Sequence, residues 1–133
     1  MSDPIQSNPF NRHLGFQLIE RSAERVTMSL APQEWFLQEG GVIHGGIITS
    51  LADTAAVYLI FPDLPADRSM TGIELKVNFL RAARIANGEL TATAHAVKVG
   101  RQIAVCSVDV HQREELIATG LFTYFVGLQR VPA

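Results

Sequence analysis

Cysteine is almost missing from this 133-residue chain. Cys106 stands alone, which excludes an internal disulfide and any metal site built from several thiolates. A lone thiol fits a reducing compartment. An excess of charge is missing too: 11 Lys and Arg stand against 13 Asp and Glu, a net −2, so nothing argues for a nucleic-acid partner. The opening residues, MSDPIQSNPFNRHL, carry acid and proline where a secretory signal needs a basic start and an apolar run. There is no repeat, charge block or low-complexity tract, and no G-x-S-x-G, P-loop or dinucleotide fingerprint. His13, His95 and His111 lack the spacing of a metal site. These absences leave one soluble, cytoplasmic domain over residues 1–133, with residues 1–8 as a loose start.

The stretch Gly40 to Phe61, GGVIHGGIITSLADTAAVYLIF, dominates what is present. From Gly46 on it has little polar face, as expected of a helix buried on most sides, and Pro62 closes it. At about 15 residues the helix is too short and too polar for a membrane span. Asn8 and Pro9 predict the cap and first turn of a short earlier helix ending at Gly15. Alternation predicts strands near Phe16 to Ile19, Val26 to Leu30, Ile73 to Phe79, Leu90 to Val99, Ile103 to Val110 and Leu116 to Val126. The reversals between the later ones, with Asn87-Gly88 as a hairpin signal, predict an antiparallel meander. One apolar helix and five or so strands make an α+β domain. A curved sheet covers such a helix better than a flat one. The alanines Ala92, Ala94, Ala96, Ala104 and Ala118, with Gly120, let strands approach it. Sheet edges in a small domain predict pairing with a second copy.

Asp53 is the only ionisable residue of the helix at neutral pH, and a buried charge is costly without a partner or a purpose. It is either an acid satisfied by Thr49 or Ser50, one turn away, or a general base or nucleophile. The glycine pairs around His44 are either a flexible turn or a set of free N–H donors for an oxyanion. His44 itself either holds backbone by hydrogen bonds or acts as a ligand or acid–base group. Gly45 and Asp53 stand eight residues apart, about 12 Å along one helix. An oxyanion donor and an attacking group must converge on one carbonyl, so a single chain separates them too far. In a two-fold dimer with antiparallel helices, Gly45 of one chain can face Asp53 of the other. Five basic residues (Lys76, Arg81, Arg84, Lys98, Arg101) mostly mark a solvated face, although an anionic substrate tail uses one or two.

The run H-G-G-x-x-x-x-L-A-D, His44 to Asp53, resembles the signature of hotdog-fold acyl-CoA thioesterases of the phenylacetyl-CoA thioesterase type. The similarity continues through Gly72-Ile73-Glu74-Leu75-Lys76-Val77-Asn78-Phe79-Leu80-Arg81 and Val99-Gly100-Arg101, covering about Phe10 to Phe125. The resemblance implies a sheet wrapped around the helix, and dimers joined edge to edge and often doubled into tetramers. It implies hydrolysis of an aryl or short-to-medium acyl-CoA at the subunit interface, without metal or organic cofactor. Asp53 is then nucleophile or general base, the Gly45 N–H polarises the carbonyl, and His44 supports the turn. Gln38, Gly46, Thr71, Gly72, Gly100 and Arg101 are the implied substrate-binding positions. Gln38 stands where the family often has Asn. Gly72 stands where it often has Ser or Thr, with Thr71 as the neighbouring substitute. The alternatives are an acyl-CoA binder without turnover and a hydroxyacyl-thioester dehydratase. The dehydratase would need an acid–base His working together with a carboxylate.

Overall fold

The computed structural model describes residues 4–128. Two short helices open it, α1 (Pro4–Ser7) and α2 (Pro9–Leu14), followed by the hairpin β1 (Gln17–Arg21) and β2 (Arg25–Leu30). The long helix α3 (Gly45–Ile60) comes next, then β3 (Arg68–Phe79), β4 (Leu90–Val99), β5 (Ile103–Gln112) and β6 (Glu115–Leu128). All six strands form one antiparallel sheet in the order β1-β2-β4-β5-β6-β3. Helix α3 packs on β2, β4, β5 and β6, so its apolar surface meets the middle of the sheet. Ile48, Leu51, Ala52, Ala55, Ala56, Leu59 and Ile60 are its buried residues. By length and composition the Gly45–Asp63 stretch could cross a membrane, yet here it is the core helix of the domain.

The local chemistry follows from residue type. The Asn8 side chain accepts from the N–H groups of Phe10 and Asn11, capping α2, and Gly15 ends it at φ 89°, a conformation that suits glycine. Arg21 closes α3: its Nε donates to the Tyr58 carbonyl at 2.8 Å, and its guanidinium bridges Asp63 at 2.9 Å. A cation there complements the negative end of the helix. Residues 4–7, expected to be loose, instead form a helical turn that buries Ile5 in the core.

The meander expected from the reversals holds for β4-β5-β6 but not for β3. That strand pairs with β6, so the link from Phe79 to Leu90 crosses to the other side of the sheet instead of turning a hairpin. Asn87-Gly88 therefore makes no β3–β4 hairpin; it ends a 3-10 turn over Ile85–Asn87, with Gly88 at φ 86°. The buried Gln112 side chain holds this crossover, accepting from the Arg84 N–H at 3.0 Å and donating to the carbonyls of Arg84 and Gly88. Ala92, Ala94, Ala104 and Ala118 are buried as expected. Ala96 is exposed, because it lies beside the β4 bulge, outside the stretch that α3 covers.

Gly120 matters for a different reason. A Cβ there would collide with the Lys76 carbonyl oxygen on β3 and press on Phe122 and Val77. Gly120→Ala is expected to lower unfolding stability by about 2 kcal/mol, an overpacking cost, measured by urea titration. A variant as stable as the parent would mean that β3 yields freely at that point.

Candidate active site

The start of α3 is built by His44. Its backbone lies at φ −58°, ψ 135°, and its Nδ1 accepts from the Gly46 N–H at 2.8 Å. A ring nitrogen that accepts carries no proton, so the neutral imidazole keeps its hydrogen on Nε2. The Gly45 N–H, at the first helical position, has no acceptor among the described residues. It borders a cavity of about 360 Å³ lined also by Gln38, Ile48, Phe79 and Arg81. Gln38 holds the glycine turn: its side-chain oxygen accepts from the Gly40 N–H, and its backbone N–H donates to the Val42 carbonyl at 2.9 Å. Gly41 completes that turn at φ 81°. Gly45 is packed so closely that a Cβ on it would lie 2.9 Å from the Phe79 ring.

Asp53 sits two turns further along, half-buried, on the wall of a second cavity of about 350 Å³. Asn8, Val57, Tyr58, Phe61, Met70, Gly72 and Tyr124 complete that wall. Neither Thr49 nor Ser50 satisfies the acid. The Ser50 hydroxyl donates instead to the Gly46 carbonyl at 2.8 Å. The partner is Tyr124 of β6, whose hydroxyl donates to Asp53 Oδ1 at 2.5 Å and lies 3.3 Å from the Asp53 carbonyl oxygen. Burial, and then the bond to Asp53, push the Tyr124 phenol far above its ordinary range, so it stays protonated. Sequence reasoning passed over Tyr124. The available signal was its place between Phe122 and Val126 on the buried face of β6, where a phenol needs a hydrogen-bond partner.

The other candidate positions fall at different distances from the acid. Gly72 faces it: Gly72 pairs with Tyr124 and, like Met70, lines the Asp53 cavity. Thr71 pairs with the exposed Phe125, and strand alternation points its side chain to the opposite face, away from Asp53. Gly100 and Arg101 form the β4–β5 turn, where the Gly100 N–H donates to the Ile103 carbonyl, and border neither cavity. His44 and Gly46 open onto a third cavity of about 370 Å³ with Phe10, His13, Trp35 and Phe36. Aromatic side chains line both this cavity and that of Asp53, Trp35 and Phe36 beside His44, Tyr58 and Phe61 beside Asp53. Cys106 is no nucleophile: it is fully buried, and burial pushes its thiol up to about 11. Among the described residues, no three His, Cys, Asp or Glu side chains gather as a metal site would require.

A sheet of six antiparallel strands curled around a single long helix is the hotdog architecture, and comparison with known proteins extends this from fold to family. A family model described as the thioesterase superfamily matches residues 40–119, and the chain belongs to that family. The medium/long-chain acyl-CoA thioesterase YigI of Escherichia coli is 33% identical over 136 residues, with 90% of this chain and 86% of that protein covered. The mouse acyl-coenzyme A thioesterase 13 is 26% identical, covering 83% of this chain and 79% of that one. Among solved structures, a thioesterase from Haemophilus influenzae matches with a TM-score of 0.84 at 27% identity, covering 92% of this chain and 85% of the other. The protein is a thioester hydrolase.

Proposed function

We propose that the protein hydrolyses acyl-CoA to a carboxylic acid and free CoA, in a two-fold dimer whose sites each draw on both subunits. The observation that carries this is the Asp53 carboxylate, half-buried on a cavity wall and held through one oxygen. Its Oδ2 has no hydrogen-bond partner among the described residues. An ionised carboxylate in that position either takes a proton from an attacking water or attacks the thioester carbon itself. In the second route CoA leaves as the thiolate and water then cleaves the mixed anhydride. Both routes consume one water and release one acid and one thiol. The Gly45 N–H of the partner subunit donates to the carbonyl oxygen as it gains charge, and His44 holds the turn that aims it.

Strand β3 supports the shared site. It is an edge strand, and its outer edge has no pairing partner among the described residues. Leu75 and Phe79 pair with Phe122 and Ala118, which face the helix, yet they stay 49% and 53% exposed. Half-exposed apolar side chains on the inner face of an unpaired edge call for a second copy. Phe79 lies against Gly45 at one end of β3, while Met70 and Gly72 lie beside Asp53 at the other. Antiparallel pairing of β3 with its twin sets Phe79 of one subunit near Met70 of the other. Gly45 then meets the partner's cavity that holds Asp53. Ile103, Leu121 and Phe125, exposed on the outer sheet face, support further doubling into a tetramer.

The substrate class we propose is an aryl or short-to-medium acyl-CoA, since Val57, Phe61 and Met70 give the Asp53 cavity an apolar side and, at about 350 Å³, it is near the small end for ligand pockets. Gln38, Gly46 and Gly72 border the cavities it would cross, and Arg81, which lines the Gly45 cavity and pairs through Nε with Glu115 at 3.0 Å, suits the anionic tail. The cytoplasm is the proposed location, where a single cysteine stays reduced. The test offers benzoyl-, phenylacetyl-, butyryl-, octanoyl- and palmitoyl-CoA, following thiol colorimetrically and products by mass spectrometry. Thiol and free acid in equal amounts are expected, fastest within the first four. An enoyl thioester from a hydroxyacyl-CoA would instead show a dehydratase, and bound but unchanged thioesters a carrier.

A further inference from the structure

We propose that Tyr124 is the positioning residue of Asp53: its phenol fixes Oδ1 and so presents Oδ2 to the substrate. This rests on Asp53 being the attacking group or base. A half-buried carboxylate without this contact would rotate about its two side-chain torsions, and attack by either oxygen would need a fresh orientation each time. Tyr124 removes that freedom. It sits in the middle of the sheet, paired with Gly72 on β3 and Ala104 on β5, and is only 3% exposed. The phenol therefore cannot swing away, and its single proton is committed to the 2.5 Å contact with Oδ1. Gly72 opposite does not crowd the ring: a Cβ there would meet it at 3.9 Å, an ordinary contact. The Asp53 cavity is thus walled by the pair that defines its chemistry, the carboxylate and the phenol. Fixing one oxygen in advance is the kind of preorganisation that lets a nucleophile or base act without reorganising in the transition state.

Few other titratable groups face Asp53. Tyr58 lines the same cavity from α3, but its hydroxyl donates to the Pro4 carbonyl and accepts from Asn11 Nδ2. Cys106 on β5 lies near Tyr124, fully buried. The remaining lining residues, from the N-terminal segment, α3, the turn after it and β3, are Asn8, Val57, Phe61, Met70 and Gly72, none of which titrates. Loss of the phenol therefore acts on the carboxylate directly.

Tyr124→Phe keeps the ring and its packing while deleting the donor. The expected result is a fall in kcat of about tenfold or more, with KM changed less than about twofold. A variant with the parental kcat overturns the proposal, provided Asp53→Asn is inactive. An active Asp53→Asn instead overturns the role of Asp53 itself, and the positioning role falls with it. A second measurement needs no variant of Tyr124. The chain has two tyrosines, so 3-fluorotyrosine labelling gives two fluorine signals, assigned by Tyr58→Phe. The Tyr124 signal should shift between the parent and Asp53→Ala, which deletes the acceptor. A Tyr124 signal that is the same in the parent and in Asp53→Ala overturns the proposal.

Discussion

Asp53→Asn is expected to reduce thiol release from acyl-CoA by about a thousandfold while leaving the fold in place, within the range that positioned acids and bases contribute. The substitution keeps the shape of the side chain. The carboxamide oxygen can still accept from Tyr124, and the cavity wall keeps its apolar members. What is lost is the charge, and with it both the capacity to take a proton from water and the capacity to attack carbon. Circular dichroism and melting temperature should match the parent closely, because the carboxylate is half exposed and has no salt bridge to lose among the described residues. Removing a buried group with such a bridge would cost stability, so an unchanged melt beside a lost rate separates chemistry from folding. A variant that releases thiol at the parental rate would move the attack to another residue.

Much of this site was legible in the chain before any coordinates. The glycine turn, the histidine that opens α3 and the acid within it are local features. Local geometry decides them: a cap needs an acceptor two residues before the N–H it satisfies, and His44 provides one. The separation of Gly45 from Asp53 likewise follows from helical rise alone. Long-range pairing is what stayed hidden. Nothing near Phe79 announces that β3 leaves its neighbours in sequence and pairs with β6, and Asn87-Gly88 has the composition of a hairpin that the crossover does not permit. The β3 bulge between Gly72 and Glu74 reverses which residues face inward, so alternation counted from Ile73 mixes the two faces of the strand. Tyr124 was hidden for the same reason, because it stands 71 residues from the acid it contacts. Only the sheet register brings the two together.

Two inactive variants are expected to restore activity when they share a dimer. Gly45→Pro removes the proposed oxyanion donor with little harm to the helix. Proline is favoured at the first helical position, and His44 at φ −58°, ψ 135° already has the extended backbone that a following proline requires. Its ring must displace Phe79, a half-exposed side chain with room to move. Alone, Gly45→Pro should lose about a hundredfold or more in kcat, the usual cost of deleting such a donor. Gly45→Ala keeps the N–H and separates the steric effect from the electronic one. Coexpressed with Asp53→Asn under different tags, Gly45→Pro gives mixed dimers. Each has one site built from the intact acid of one chain and the intact glycine of the other. The opposite site carries both lesions. Random pairing makes half of the dimers mixed, so the pool should recover about a quarter of the parental rate, and purified mixed dimers about half. If each chain instead uses its own Gly45 and Asp53, every site in every pairing keeps one lesion and no activity returns. The recovered rate therefore measures whether the acid and the donor come from different subunits. The end-to-end placement of Gly45 and Asp53 along β3 favours that arrangement.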